Sequence, residues 1–250
     1  MASTRADRLV PAGLILLSAV PALAAALRLA DLSGVADVTT DDARFAAAPV
    51  PIVVHVIAAG LFTVVGALQF APTLRRRHWH RRAGRVLVPL GLAAALSGLW
   101  MTAFFPHPAH DGVLLGVFRA VFGSAMVVAL VLGANALRRR DFARHGAWLT
   151  RAYAIGLGAG TQAVFLGFWA AVAGEPAVLA RALLHAAAWT LNLAVAEWVI
   201  SRRSRPDHSS PIEEEPRDHI DRDDASHRPA RLRPTGAGAR TGRDRPARTR

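Results

Sequence analysis

The chain has 250 residues, of which 52% are apolar, and a formal net charge of +12 carried entirely by arginine, since it contains no lysine. It has no cysteine, which excludes disulfides, thiolate catalysis and cysteine metal sites. The positive charge sits beside the ends of apolar stretches, a placement that suits phospholipid headgroups and topology control rather than nucleic acid.

Six apolar stretches fill the first 200 residues, at roughly 9–29, 49–72, 86–105, 113–137, 147–173 and 178–200. A bilayer core about 30 Å thick needs about 20 apolar residues in a helix. The sequence therefore predicts an all-α integral membrane bundle of six transmembrane helices. The first stretch has two readings. Arg5 and Arg8 precede Leu9–Leu27, and Ala22-Leu23-Ala24 resembles a signal-cleavage site, yet the apolar run is long for a signal core. Pro21 bends such a helix, which membrane helices tolerate. This helix and the acidic external loop after it, with Asp31, Asp37, Asp41 and Asp42, make up residues 1–48.

Residues 49–200 form a core of five helices, and their connections fix an orientation. Arg75, Arg76, Arg77, Arg81, Arg82 and Arg85 lie between the second and third helices. Arg138, Arg139, Arg140 and Arg144 lie between the fourth and fifth, and Arg202, Arg203 and Arg205 follow the sixth. Alternation puts all three groups on one face, which the positive-inside rule makes cytoplasmic. Trp79, Trp148 and Trp198 fall near the same surface, as interface anchors do. The expected location is a bacterial cytoplasmic membrane with both termini inside. Residues 201–250 hold six prolines and no aromatic residue. Such a segment buries too little apolar surface to offset chain entropy, so a disordered basic cytoplasmic tail is expected.

A weak internal repeat links the loops. Leu74-Arg75-Arg76-Arg77 recurs as Leu137-Arg138-Arg139-Arg140, each followed by a histidine, His80 and His145, and then by an arginine, Arg85 and Arg151. Parallel repeats of this kind often frame a site between them.

Three clusters carry a family resemblance. The first is Gly66-Ala67-Leu68-Gln69-Phe70 with His80-Arg81 and Gly84-Arg85. The second is Arg139-Arg140-Asp141-Phe142 with His145, Trp148, Arg151 and Tyr153-Ala154. Asn192-Leu193 and Glu197-Trp198 close the pattern. Over about residues 50–200 the chain resembles the bacterial membrane-protein family catalogued as domain of unknown function 2306. The resemblance implies a polytopic membrane protein and no established activity. Thr161-Gln162 stands where that family commonly has a threonine-leucine-arginine run, so one intramembrane charge is missing, and Leu149 stands where methionine is usual. His185 belongs to no part of the family pattern.

Ionisable groups inside a bilayer are costly and face the bundle interior or water, so the short set present here is informative. His55, Arg119 and His185 lie in the outer thirds of their helices, and His107, His110 and Asp111 lie in the external turn nearby, together an outer polar cluster. Gln69, His80, His145, Arg151 and Glu197 lie near the inner surface, with Asn192 deeper. Arg151 and Glu197 share a depth that suits an ion pair, either a packing contact or part of a proton relay. His55 with His185, and His80 with His145, share depths that suit two b-type haems. His80 and His145 also sit among arginines at headgroup level, where binding phosphate is the simpler job. His107-Pro108-Ala109-His110 lacks the spacing and second pair of a zinc site, so no metal ligand is assigned. There is no glycine-framed serine, no phosphate loop and no dinucleotide fingerprint, so no catalytic residue is assigned. Gly156-Leu157-Gly158-Ala159-Gly160 follows no strand and predicts a close helix contact instead.

Three functions stay open. One is binding of anionic phospholipid or another anion through Arg76, His80, Arg81, Arg85, Arg139, Arg140 and His145. Another is a proton- or ion-linked transporter using His55, Gln69, Arg119, Arg151, Asn192 and Glu197. The last is transmembrane electron transfer through haem b on His55, His80, His145 and His185.

Overall fold

The computed structural model describes residues 5–32, 48–71 and 77–203. The acidic loop after the first helix, Arg75 and Arg76 and the tail beyond Arg203 lie outside the described residues.

Among the described residues seven helices follow in chain order: α1 (Arg5–Leu32), α2 (Pro49–Leu68), α3 (Arg77–Phe104), α4 (Gly112–Arg138), α5 (Phe142–Gly156), α6 (Gly158–Ala173) and α7 (Val178–Arg203). No strand occurs among the described residues. Among the described residues five spans are long and apolar enough to cross a membrane: α2, α3, α4, α5 with α6, and α7. The first stretch forms a 28-residue helix, but its apolar part, Leu9–Ala24, is shorter than the other five.

Local sequence explains most of the boundaries. Proline in the first turn of α2 costs no hydrogen bond, because the first helical N–H groups are unpaired anyway. Gly112 follows the turn of Asp111 at φ +66°, a backbone conformation that favours glycine, and α4 starts there. Asp141 caps α5, its carboxylate accepting from the Arg144 N–H at 3.0 Å. Gly174 at φ +77° ends α6. Arg202 and Arg203 occupy the last turn of α7.

Chain-adjacent spans pack against each other: α2 on α3, α3 on α4, α4 on α5 and α6 on α7. α7 also closes against α4 and α5, while α1 lies against α2 and α6. Alternation then gathers Arg81, Arg85, Arg138–Arg140 and Arg202 at one end, here called the basic end, and the turns at 105–111 and 174–177 at the other. The shared core contains Phe62, Leu87, Met126, Leu130, Ala152, Tyr153 and Ile155. Phe62 is only 2% exposed, and its ring lies against Gly91 of α3 and Gly156 of α5. Small residues at such crossings let membrane helices approach closely.

The outside is apolar. Phe168 and Val172 are each 72% exposed, Val121 is 57% exposed and Leu183 is 51% exposed. In water this surface would be an aggregation hazard; in lipid it is the expected outer face.

The span made of α5 and α6, the fifth along the chain when α1 is counted and called the fifth span below, is interrupted. Leu157 separates α5 from α6, its N–H still donating to Tyr153 O at 2.9 Å while its carbonyl accepts from Gly160 N–H at 3.0 Å. Gly156, Gly158 and Gly160 each face a bulky neighbour: Phe62, the Trp189 indole and the backbone of Leu17 respectively. The glycine run is thus a place of close helix contact as well as a break.

Candidate functional site

A cavity of about 400 Å³ lies within the bundle, between the α3–α4 turn and the ring of Phe62. Most of its wall is apolar, with Phe62, Leu99, Met126, Ile155 and Trp189 among the lining residues. Among the described residues five side chains bring ionisable or amide groups to that wall, His55 from α2, His107 from the turn, Arg119 from α4, Gln162 from α6 and His185 from α7, while the Thr63 and Thr102 hydroxyls bond to carbonyls of their own helices. Ligand sites in proteins have this make-up, a mostly apolar hollow of about 300–1,000 Å³ with a few converging polar groups.

Each polar group is held differently. His55 Nδ1 donates to Ala94 O of α3 at 2.9 Å, and the Ser97 hydroxyl lies 3.3 Å from the same nitrogen. Gly98 makes room for that ring, since a Cβ there would lie 3.1 Å from the imidazole. His185 Nδ1 donates to Arg181 O one turn back at 2.8 Å. A carbonyl only accepts, so in both rings Nδ1 carries the proton and Nε2 keeps a lone pair in the neutral form. Arg119 Nη1 pairs with Asp111 Oδ2 at 2.8 Å, and His110 Nε2 stands 3.6 Å from the other carboxylate oxygen. Asp111 has a nearly buried side chain, 8% exposed, so the turn is tied to α4 by charge. Gln162 is buried, and its amide nitrogen has no protein partner. In a membrane interior an unpaired donor is costly, and this one belongs to a residue of the cavity wall.

The outer group of residues singled out in the sequence therefore meets in space: His55, His107, Arg119 and His185 line one cavity, with Asp111 and His110 behind Arg119. Gln162 was noticed in the sequence only as a departure from a family pattern. Its signal was an amide, next to Thr161, inside an apolar span.

The inner group does not converge on the cavity. Arg151 and Glu197 form a two-point ion pair, Nε to Oε1 at 2.5 Å and Nη2 to Oε2 at 2.8 Å, and the guanidinium lies 4.6 Å from the Trp148 ring centre. Asn192 joins α7 to the break in the fifth span: its Nδ2 donates to Ala154 O at 3.1 Å, and its Oδ1 accepts from the Thr161 hydroxyl at 2.9 Å. His145 Nδ1 donates to Gly133 O of α4 at 2.8 Å, while His80 is exposed on the early turns of α3. Both side-chain amide atoms of Gln69 are buried without a partner. Arg81, Arg139 and Arg140 are exposed at the basic end, as is Arg85 one turn further into α3. Among the described residues no group of three or more histidines and acids could hold a metal ion.

No curated protein matches the chain, and no solved structure does. A family described as "predicted membrane protein (DUF2306)" matches residues 52–200, which include the cavity and the Arg151–Glu197 pair. Those residues are more than half of the 250, and the chain is a membrane protein that belongs to this family.

Proposed function

We propose that this membrane protein binds a small oxygen-bearing ligand in the cavity that holds His55, Arg119, Gln162 and His185. The observation that carries the proposal is the meeting of opposite hydrogen-bonding needs in one apolar hollow. Arg119 and the unpartnered Gln162 amide offer donors, and the two imidazole Nε2 atoms offer acceptors. A head with both a hydroxyl and an acceptor oxygen satisfies both sets. The basic end serves a separate purpose in this proposal. Arg81, Arg85, Arg139 and Arg140 meet anionic phospholipid at the cytoplasmic face, which sets the orientation of the bundle.

The transport pathway through His55, Arg119, Arg151 and Glu197 gains less support, because the last two are occupied with each other and do not line the cavity. A second ligand has a specific observation in its favour. Metal-bound imidazoles characteristically donate their other ring nitrogen to a backbone carbonyl, as His55 and His185 both do. A b-type haem held by this pair would supply one-electron chemistry. His80 and His145 are not among the residues that line this cavity, so the reading concerns one haem.

One purification separates the two. Protein from haem-replete cells is examined by absorption spectroscopy and then titrated with a water-soluble hydroquinone in a thermal-shift assay. Stabilisation that is lost in Gln162→Leu and Arg119→Gln supports the oxygen-bearing ligand. A Soret band lost in His55→Ala and His185→Ala establishes haem in its place. A colourless protein that no oxygen-bearing probe stabilises refutes both.

A further inference from the structure

A second hollow, of about 290 Å³, adjoins the first. The two share Ile52, His55, Ala59, Thr63, Gly156 and Ala159, so they meet along one strip of wall between α2 and the break in the fifth span. From there the second hollow runs under α1, past Ser18, Pro21 and Ala22, and along Val56 and Gly60 of α2.

Its chemistry differs from that of the first. Its two hydroxyls are already engaged within their own helices, Ser18 with Leu14 O at 2.8 Å and Thr63 with Ala59 O at 2.9 Å. Apart from His55 at the junction, no lining side chain among the described residues bears an ionisable group. The hollow therefore asks for apolar atoms and offers no recognition of a polar head. It is also roomy at a defined place: a Cβ added at Gly60 would meet nothing within 4 Å. α1 roofs it, crossing the fifth span so closely that a Cβ at Gly160 would strike the Leu17 backbone.

A polar-pointed chamber joined to an apolar slot beneath a helix fits a molecule with two unlike halves. We propose that the ligand is a single-chain amphiphile, its hydroxyl-and-oxygen head among His55, Arg119, Gln162 and His185 and its apolar chain in the slot under α1. The proposal rests on the assignment of the first cavity as a ligand site. The head chemistry is shared by a lipid-soluble hydroquinone and by a protonated carboxylic acid, and the test treats them as separate arms.

The full-length protein in detergent is titrated with decylubiquinol and with its chainless dimethoxy-methyl hydroquinone, and in the second arm with decanoic acid and with acetic acid. Apolar contact along a buried chain makes the chain-bearing member of the recognised pair at least about tenfold tighter. Gly60→Leu places a side chain in the slot. It weakens the chain-bearing probe by about tenfold or more, and the chainless probe binds as before. Val56→Phe, projecting into the same slot, gives the same split and serves if Gly60→Leu lowers the yield of folded protein.

Chain-bearing and chainless probes of equal affinity, or no split in either folded variant, overturn the amphiphile while leaving the head site standing. Binding of neither pair to the unmodified protein removes the head site and the amphiphile together. The arm that shows the split identifies the head as hydroquinone or acid.

Discussion

Arg151 and Glu197 carry opposite charges at matching depth on α5 and α7, and removing them one at a time and together measures what their contact does. Two charges about 4 Å apart attract by about 4 kcal/mol at an effective dielectric of about 20. Solvent cancels most of that here, because the Arg151 side chain is 26% exposed and that of Glu197 is 52% exposed. Pairs so open to water retain about 0.2–1 kcal/mol. The two-point geometry and the Trp148 ring under the guanidinium place this pair near the upper limit. A double-mutant cycle of Arg151→Gln and Glu197→Gln, read by unfolding in mixed detergent micelles, is expected to give a coupling of about 1 kcal/mol that shrinks in high salt. Probe binding in the cavity stays unchanged in all three variants, since neither residue lines it. A coupling below about 0.3 kcal/mol refutes the pair as a helix tie. Loss of cavity binding in a folded single variant refutes the separation of tie and site.

Three further outcomes are expected. Phe62→Ala empties the place where α2, α3 and α5 meet around a 2%-exposed ring, and costs about 3–5 kcal/mol in the same unfolding measurement. Asn192→Leu removes the links to Ala154 O and Thr161, and costs about 1–2 kcal/mol while leaving helix content by circular dichroism unchanged. Reporters fused after Arg140 and at Pro108 in intact bacteria report opposite sides of the membrane, with Arg140 on the cytoplasmic side. The reverse result would put the α3–α4 turn, and the cavity beside it, on the cytoplasmic side.

What the sequence made legible follows from how each feature is encoded. Apolar runs of membrane length fix the number and order of the spans within 49–200, because lipid admits few alternatives to helix. The ends were less legible. α3 begins at Arg77, well before the apolar run at 86, and α7 continues to Arg203. Arginine is a good helix former whose charged head reaches the headgroup layer, so helices outlast their apolar stretches. Matching depth was enough to anticipate Arg151 with Glu197 and to group His55, Arg119 and His185. Depth leaves out which way a side chain faces, and so it paired His80 with His145, although His145 turns onto Gly133 of α4 and His80 is exposed. The capping role of Asp141 was readable in principle, since an acid just before a helical run is a start signal.

The interruption at Leu157 had no such signal, and it connects the two halves of the site. A glycine-rich apolar stretch reads as continuous helix in lipid because no water competes for its backbone. The break survives because α7 supplies a substitute: Asn192 donates to the Ala154 carbonyl just before it and accepts from Thr161 just after it. The amide of Asn192 therefore bridges the end of α5 to the start of α6. That bridge fixes the rotation of α6 on which Gln162, the next residue after Thr161, reaches the cavity wall. The glycines on either side admit Phe62 and Trp189, which close the chamber where it meets the break. An asparagine outside the cavity thus sets the position of a glutamine within it, through one helix interruption.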